Sequence, residues 1–149
     1  ENACTPEMFV RYAQIAALMP VMQFSASPWR VLPEADFQKV KDALALREKC
    51  LPEILKAVEC AKVTGEPIVR SMEFVFPGQG MERVMDQFMV GEDLLVAPVW
   101  KQGEVARSVR LPEGQWRCVG LGETDGDVLN GGRDVILGEN EGLVVLKRV

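Results

Sequence analysis

The stretch PVMQFSASPW, residues 20–29, changes character halfway along. Pro20 to Phe24 reads as a short buried strand, and Ser25 to Trp29 then place two hydroxyls and an indole at its carboxyl end. Helical patterns flank it on both sides. Upstream, Thr5-Pro6-Glu7 is a helix start: a hydroxyl N-cap, a proline where no N–H is needed, and an acid in the first turn. Met8, Tyr12, Ile15 and Met19 follow at helical spacing. Downstream, Phe37, Val40, Leu44, Leu51, Ile54 or Leu55, and Val58 form an amphipathic pattern from Asp36 to about Val63. Pro52 inside it predicts a kink or the start of a second helix, and Thr64-Gly65 ends it with a glycine cap. A lone strand between two helices has no neighbour to pair with and cannot cover both its faces. The pattern therefore predicts the end of an α/β barrel, separated from its other strands.

After Gly65 the period of the sequence changes to two. Ile68, Met72, Phe74 and Phe76 suggest one buried strand face, broken by Arg70, which is either a buried ion-pair partner or an exposed edge residue. Leu94 to Trp100 is a continuous apolar run, as expected of a strand buried on both faces. Ser108–Leu111, Gln115–Val119, Val135–Leu137 and Leu143–Leu146 read as further strands. Pro112-Glu113-Gly114, Asp125-Gly126 and Asn130-Gly131-Gly132 are the turns between them. The predicted fold class is α/β plus all-β. Residues 1–65 supply the last part of a (β/α)8 barrel (helix, strand, helix), and residues 66–149 form a small antiparallel β-sandwich.

The composition narrows the chemistry. A hydrophobic content of 48% and a charged content of 26% over 149 residues suit a globular chain. The net charge of −5 and the lack of a dense Lys/Arg cluster argue against nucleic acid as a partner. No apolar run is long enough for a membrane span. The chain begins Glu-Asn-Ala-Cys, with neither an initiator Met nor a signal-peptide pattern, which suggests a piece of a longer chain. There is no histidine, so Ser-His and Cys-His catalysis and the usual zinc patterns are excluded. Cys4, Cys50, Cys60 and Cys118 show no C-x-x-C spacing. Cys50 and Cys60 sit roughly 15 Å apart along one helix, too far to bridge; such free thiols lean toward a reducing compartment. Glu123, Asp125 and Asp127 cluster around Gly126, but the spacing does not fit an EF-hand, and a solvated hairpin loop is the simpler reading. No metal and no cofactor are predicted.

Four separated stretches, in order, carry a resemblance to a known family. They are PEMFVRYAQIAALMPVMQFS (residues 6–25), ALREKCLPEILKAVECAKVTGEPIVRSMEFVFP (45–77), QFMVGEDLLVAPVWKQG (87–103) and VRLPEGQW (109–116). Together they resemble glycoside hydrolase family 31, the retaining α-glycosidases, from the seventh barrel helix into the β-sandwich after the barrel. The resemblance covers most of residues 6–117; the last thirty residues match only loosely. Many members of that family have Arg at the position of Gln23 and His at that of Ser25, so the departures here argue against α-glucosidase specificity. The Phe-Ser and Pro-Trp pairs are similar to the galactosidase-like branch.

The resemblance also implies roles. Barrel active sites form at the carboxyl ends of the strands, so Gln23, Ser25 and Trp29 are the candidate substrate-binding residues. Gln and Ser hydrogen-bond sugar hydroxyls, and Trp offers a flat apolar face to a pyranose ring. The plainer reading is that Trp29 packs over the barrel end while Ser25 and Ser27 cap the next turn. Phe24, alternating with Ser25, is expected to face the helices. A retaining glycosidase needs two carboxyl groups about 5–5.5 Å apart. In the family both are Asp and precede the region of resemblance, so no catalytic residue is assigned here, and the chain alone is expected to be inactive. Its expected partners are an α-glycoside, the remainder of the barrel and, for the isolated chain, a second copy of itself through exposed apolar helix faces. The alternatives are a non-catalytic carbohydrate-binding or interaction module, and a catalytically dead family member acting through association.

Overall fold

The structure is a computed structural model describing residues 4–121, 124–137 and 142–149. In chain order the elements are α1 (Pro6–Ala17), α2 (Pro28–Val31), α3 (Glu34–Thr64), β1 (Val69–Ser71), α4 (Met72–Val75), β2 (Phe88–Val90), β3 (Leu94–Pro98), β4 (Arg107–Leu111), β5 (Gln115–Cys118), β6 (Val128–Asn130), β7 (Arg133–Leu137) and β8 (Leu143–Arg148). All strand pairs are antiparallel. Six strands form one sheet in the order β1-β2-β3-β8-β5-β6, and β4 pairs with β7 in a second, two-stranded sheet.

The apolar run at 94–98 explains how these layers meet. Side chains alternate across a strand, and here the alternation divides two cores. Leu94 and Val96 of β3, with Leu143 and Val145 of β8, face Ala43, Leu46, Cys50, Ile54 and Ala57 of α3. Leu95 and Ala97, with Val144 and Leu146, face the other way, onto Val109 and Leu111 of β4 and Val135 and Leu137 of β7. Every residue of β3 is buried, as the sequence predicts for a strand covered on both sides. Helices thus cover one face of the large sheet and the small sheet covers the other.

The helices keep part of their predicted faces, Val40 and Ile54 being buried as expected, and differ elsewhere. The Thr5 hydroxyl caps α1 by accepting from the Met8 N–H at 3.2 Å. However, the buried side is Val10, Ala13, Gln14 and Ala17, and Met8 and Tyr12 point outward. In α3 the buried stripe is Val40, Ala43, Leu46, Cys50, Ile54 and Ala57, whereas Leu44, Leu51 and Leu55 are exposed. Small side chains decide both faces because they allow close approach. A Cβ added to Gly91, beside β2, would lie 3.1 Å from the Ala57 Cβ. No second helix starts at Pro52: α3 runs for 31 residues with the proline inside it. Cys50 and Ile54, on either side of the proline, anchor it in the core. Gly65 caps α3 at φ 76°, donating to Ala61 O at 2.9 Å.

The stretch 68–76 is a correction. It was expected as one strand, but β1 is only three residues long and α4 follows at once. Met72 and Phe76 are buried while Phe74 is half exposed. Residues four apart satisfy a period of two and a helical turn equally, and the Ser71 hydroxyl settles the choice by accepting from the Phe74 N–H at 3.3 Å. Arg70 is the buried ion-pair partner, 3.0 Å from the Glu66 carboxylate and donating to Pro67 O at 2.8 Å.

Charged residues along α3 stitch it to the sheet. Glu53 pairs with Lys147 of β8, and Lys56 meets Asp93 in the β2–β3 turn at 2.5 Å. Lys49 donates to Gly120 O at 2.9 Å and to Asp125 at 2.5 Å, holding the connection between β5 and β6. Asp125 therefore serves as a tether; Glu123, its neighbour in the acidic cluster, lies outside the described residues. The hydrogen bond from Lys49 chiefly, and that from the Gly120 N–H next, hold the Asp125 carboxyl below its ordinary value. A depressed carboxyl contributes stability above its ordinary value and loses it as pH falls through the lowered one. The Gly120 amide resonance is therefore expected to report a titration lying below that of an ordinary Asp carboxyl, and Lys49→Met should move its midpoint upward in an NMR titration.

Candidate functional site

The segment carrying the candidate residues runs between α1 and α2. Pro20–Phe24, expected as a strand, is irregular in the structure and has no ladder partner among the described residues. Its side chains nonetheless alternate: Val21, Gln23 and Ser25 are exposed, and Met22 and Phe24 are half-buried. Phe24 packs inward as expected, stacked on Phe9 of α1 with ring centres 6.1 Å apart. Together with Leu32 they extend a small core of Val10, Ala13 and Val40. That inward anchoring turns Gln23 and Ser25 to the same side.

Gln23 and Ser25 line an open groove of about 460 Å³, with Cys4 and Pro6 near the start of α1, Tyr12, and Val31 and Leu32 after the segment. The lining combines aromatic and aliphatic side chains with an amide and a hydroxyl, the mixture expected of a site that grips a neutral polar ligand. Among the described residues no carboxylate, Lys or Arg lines it. The groove can bind and orient, but its described side chains include no carboxyl pair of the kind retaining hydrolysis uses. Trp29 does not join them. It lies on α2, 67% exposed, with its ring edge-on to Phe37 at 6.5 Å. The structure thus unites two of the three predicted residues and places the third on the neighbouring turn.

The frame around the groove rests on long-range polar ties. At the start of α1, Glu7 accepts from the Gly103 N–H at 2.8 Å, and Arg11 donates to Glu104 O at 2.6 Å, docking this end on the loop after β3. At the other end of α1, Arg47 of α3 donates to Ala17 O at 2.7 Å, Met19 O at 2.5 Å and Pro20 O at 3.1 Å. Sequence reasoning missed Arg47. The available signal was its place between Ala43 and Cys50, on the buried side of the helix. Of the thiols, Cys4 is exposed at the groove, while burial foremost, aided by Glu53, pushes Cys50 up to about 11. Among the described residues no group of three or more Cys, Asp or Glu is placed to hold a metal ion. No helix there is long and apolar enough to cross a membrane.

Comparison with known proteins places this geometry. The family model described as the glycosyl hydrolase family 31 C-terminal domain matches residues 65–135. The chain is 39% identical over 112 residues to the myogenesis-regulating glycosidase of Mus musculus, covering 74% of this chain and 16% of that protein. Its fold is similar to a family 31 α-xylosidase from a soil metagenome, complexed with xylose, at 28% identity and a TM-score of 0.82. That match covers 99% of this chain and 25% of the other. A cycloalternan-forming enzyme from Listeria monocytogenes, in complex with a pentasaccharide substrate, is similar at 27% identity and a TM-score of 0.88. It covers all of this chain, which spans 15% of the enzyme. The chain belongs to glycosyl hydrolase family 31 and carries that family's C-terminal domain over residues 65–135.

Proposed function

We propose that this chain is the carboxyl-terminal part of a retaining α-glycosidase that hydrolyses α-galactosides or α-glucosides. In this reading residues 1–65 are the last helix, strand and helix of a (β/α)8 barrel, and residues 66–149 form the β-sandwich that follows it. The observation that carries the reading is the common outward face of Gln23 and Ser25 in a groove that has sugar-binding chemistry and no acid. The missing carboxylates belong to the preceding barrel, which also covers Met8 and Val21, both exposed here. Gln23 and Ser25 hold the sugar hydroxyls, and Trp29 flanks the entrance with its open ring face. Separated from the barrel, the chain is inactive and self-associates through that apolar surface.

The test uses the full-length protein with aryl α-galactosides and α-glucosides. Turnover is expected, and Ser25→Ala should lower kcat/KM by about tenfold or more, the worth of one buried hydrogen bond to substrate. Saccharide binding without turnover would favour the non-catalytic module instead. Neither binding nor turnover would overturn the reading.

A further inference from the structure

We propose that Arg47 is a positioning residue for the sugar-binding face of Gln23 and Ser25, an inference that rests on the glycosidase reading above. Three carbonyls, those of Ala17, Met19 and Pro20, converge on its guanidinium. They end α1 and begin the segment that bears the groove. Among the described residues, 21–26 make no backbone hydrogen bond to any other part of the chain. Pro20 cannot donate one, having no N–H. Within this chain the bond from Arg47 to Pro20 O is thus the last polar tie before Gln23, three residues on.

Chemistry favours arginine here. The carbonyls at a helix carboxyl end lack intrahelical donors and carry partial negative charge. A guanidinium has five N–H donors in a fixed planar fork, so it can serve three oxygens at once and fix their relative places. Lysine would keep the charge but concentrate it at one point. Arg47 itself is set by its own helix, where Leu46 and Cys50 lie in the core against the sheet. The sheet core, α3, Arg47 and Pro20 O therefore form one chain of contacts. It transmits the position of the rigid sheet to the first residues of the binding segment, while the Phe24–Phe9 stack fixes the side chains' alternation.

The test compares wild type, Arg47→Lys and Arg47→Ala in the full-length protein; the lysine variant keeps the question open if the alanine variant fails to fold. Peptide-resolved hydrogen exchange is the readout that needs no activity. With Arg47→Lys, exchange of residues 21–26 should rise about tenfold while peptides from β3 and β8 stay unchanged. KM for the aryl α-glycoside should rise about tenfold, and combining Arg47→Lys with Ser25→Ala should cost less than the product of the two, because both act on one face. Unchanged exchange at 21–26, exchange rising equally throughout the protein, or fully multiplicative kinetics would overturn the proposal. A wild-type protein without turnover or saccharide binding would defeat the glycosidase reading instead, a result that the exchange data alone cannot produce.

Discussion

Replacing Trp116 with alanine is expected to cost about 3–5 kcal/mol, the range for deleting a large buried aromatic. The side chain is fully buried between the two sheets, in the same core as Met89, Leu95, Leu111 and Leu146. Phe76 meets it edge-on at 5.8 Å, a favoured aromatic geometry. Its indole N–H donates to Pro112 O at 3.0 Å, so truncation removes packing and a hydrogen bond together. Against a typical total stability of about 5–15 kcal/mol, such a loss leaves a substantial unfolded population. Urea denaturation followed by circular dichroism should show a lower midpoint with the slope preserved. A midpoint within experimental error of wild type would refute the assignment of Trp116 as the centre of this core.

The second large effect concerns the helical segment. A chain starting at Gly65, where the family match begins, would lack α3 and leave Val90, Leu94, Val96, Leu143 and Val145 without cover. It would also lose the partners of Lys147 and Asp93 and the tether on Asp125. A contiguous apolar face of that kind drives association. Residues 65–149 alone are therefore expected to elute as aggregates in size-exclusion chromatography and to unfold without a cooperative transition. A monodisperse, cooperatively melting monomer would show instead that the sheet pair is self-sufficient and that α3 merely rests on it.

The legible parts of the sequence were those where one local rule had no competitor. Thr5-Pro6-Glu7 and Thr64-Gly65 mark helix ends through chemistry that strands do not use, and both ends fall where predicted. Leu94–Pro98 is too short for a helix and too apolar for an exposed strand, which left one outcome. At Met72 and Phe76, by contrast, a spacing of four fits both periods, and the deciding hydroxyl of Ser71 is visible only once its turn exists. The faces of α1 and α3 were misread in part because the prominent residues, Tyr12, Leu44 and Leu51, are the exposed ones, although Val40 and Ile54 of the same pattern are buried. Alanines win the interior by allowing close approach, a property of the partner surface rather than of the helix. The groove was half legible for a related reason. Alternation put Gln23 with Ser25, but the short helix α2, which carries Trp29 away from them, has only four residues and no clear pattern. Arg47 was hidden because its three acceptors lie about thirty positions earlier in the chain.

The division of β3 between two interiors bears on how this protein can be altered. Leu94 and Leu95 are adjacent in sequence but share no core, so their side chains do not compete for the same volume. Leu95 and Leu146 stand opposite each other in the ladder and face the same interior, so their side chains compete for one volume. A library meant to repack this protein should vary Leu95 and Leu146 together. Such a library would leave Leu94 free to be chosen with Val145 and α3 in a separate round.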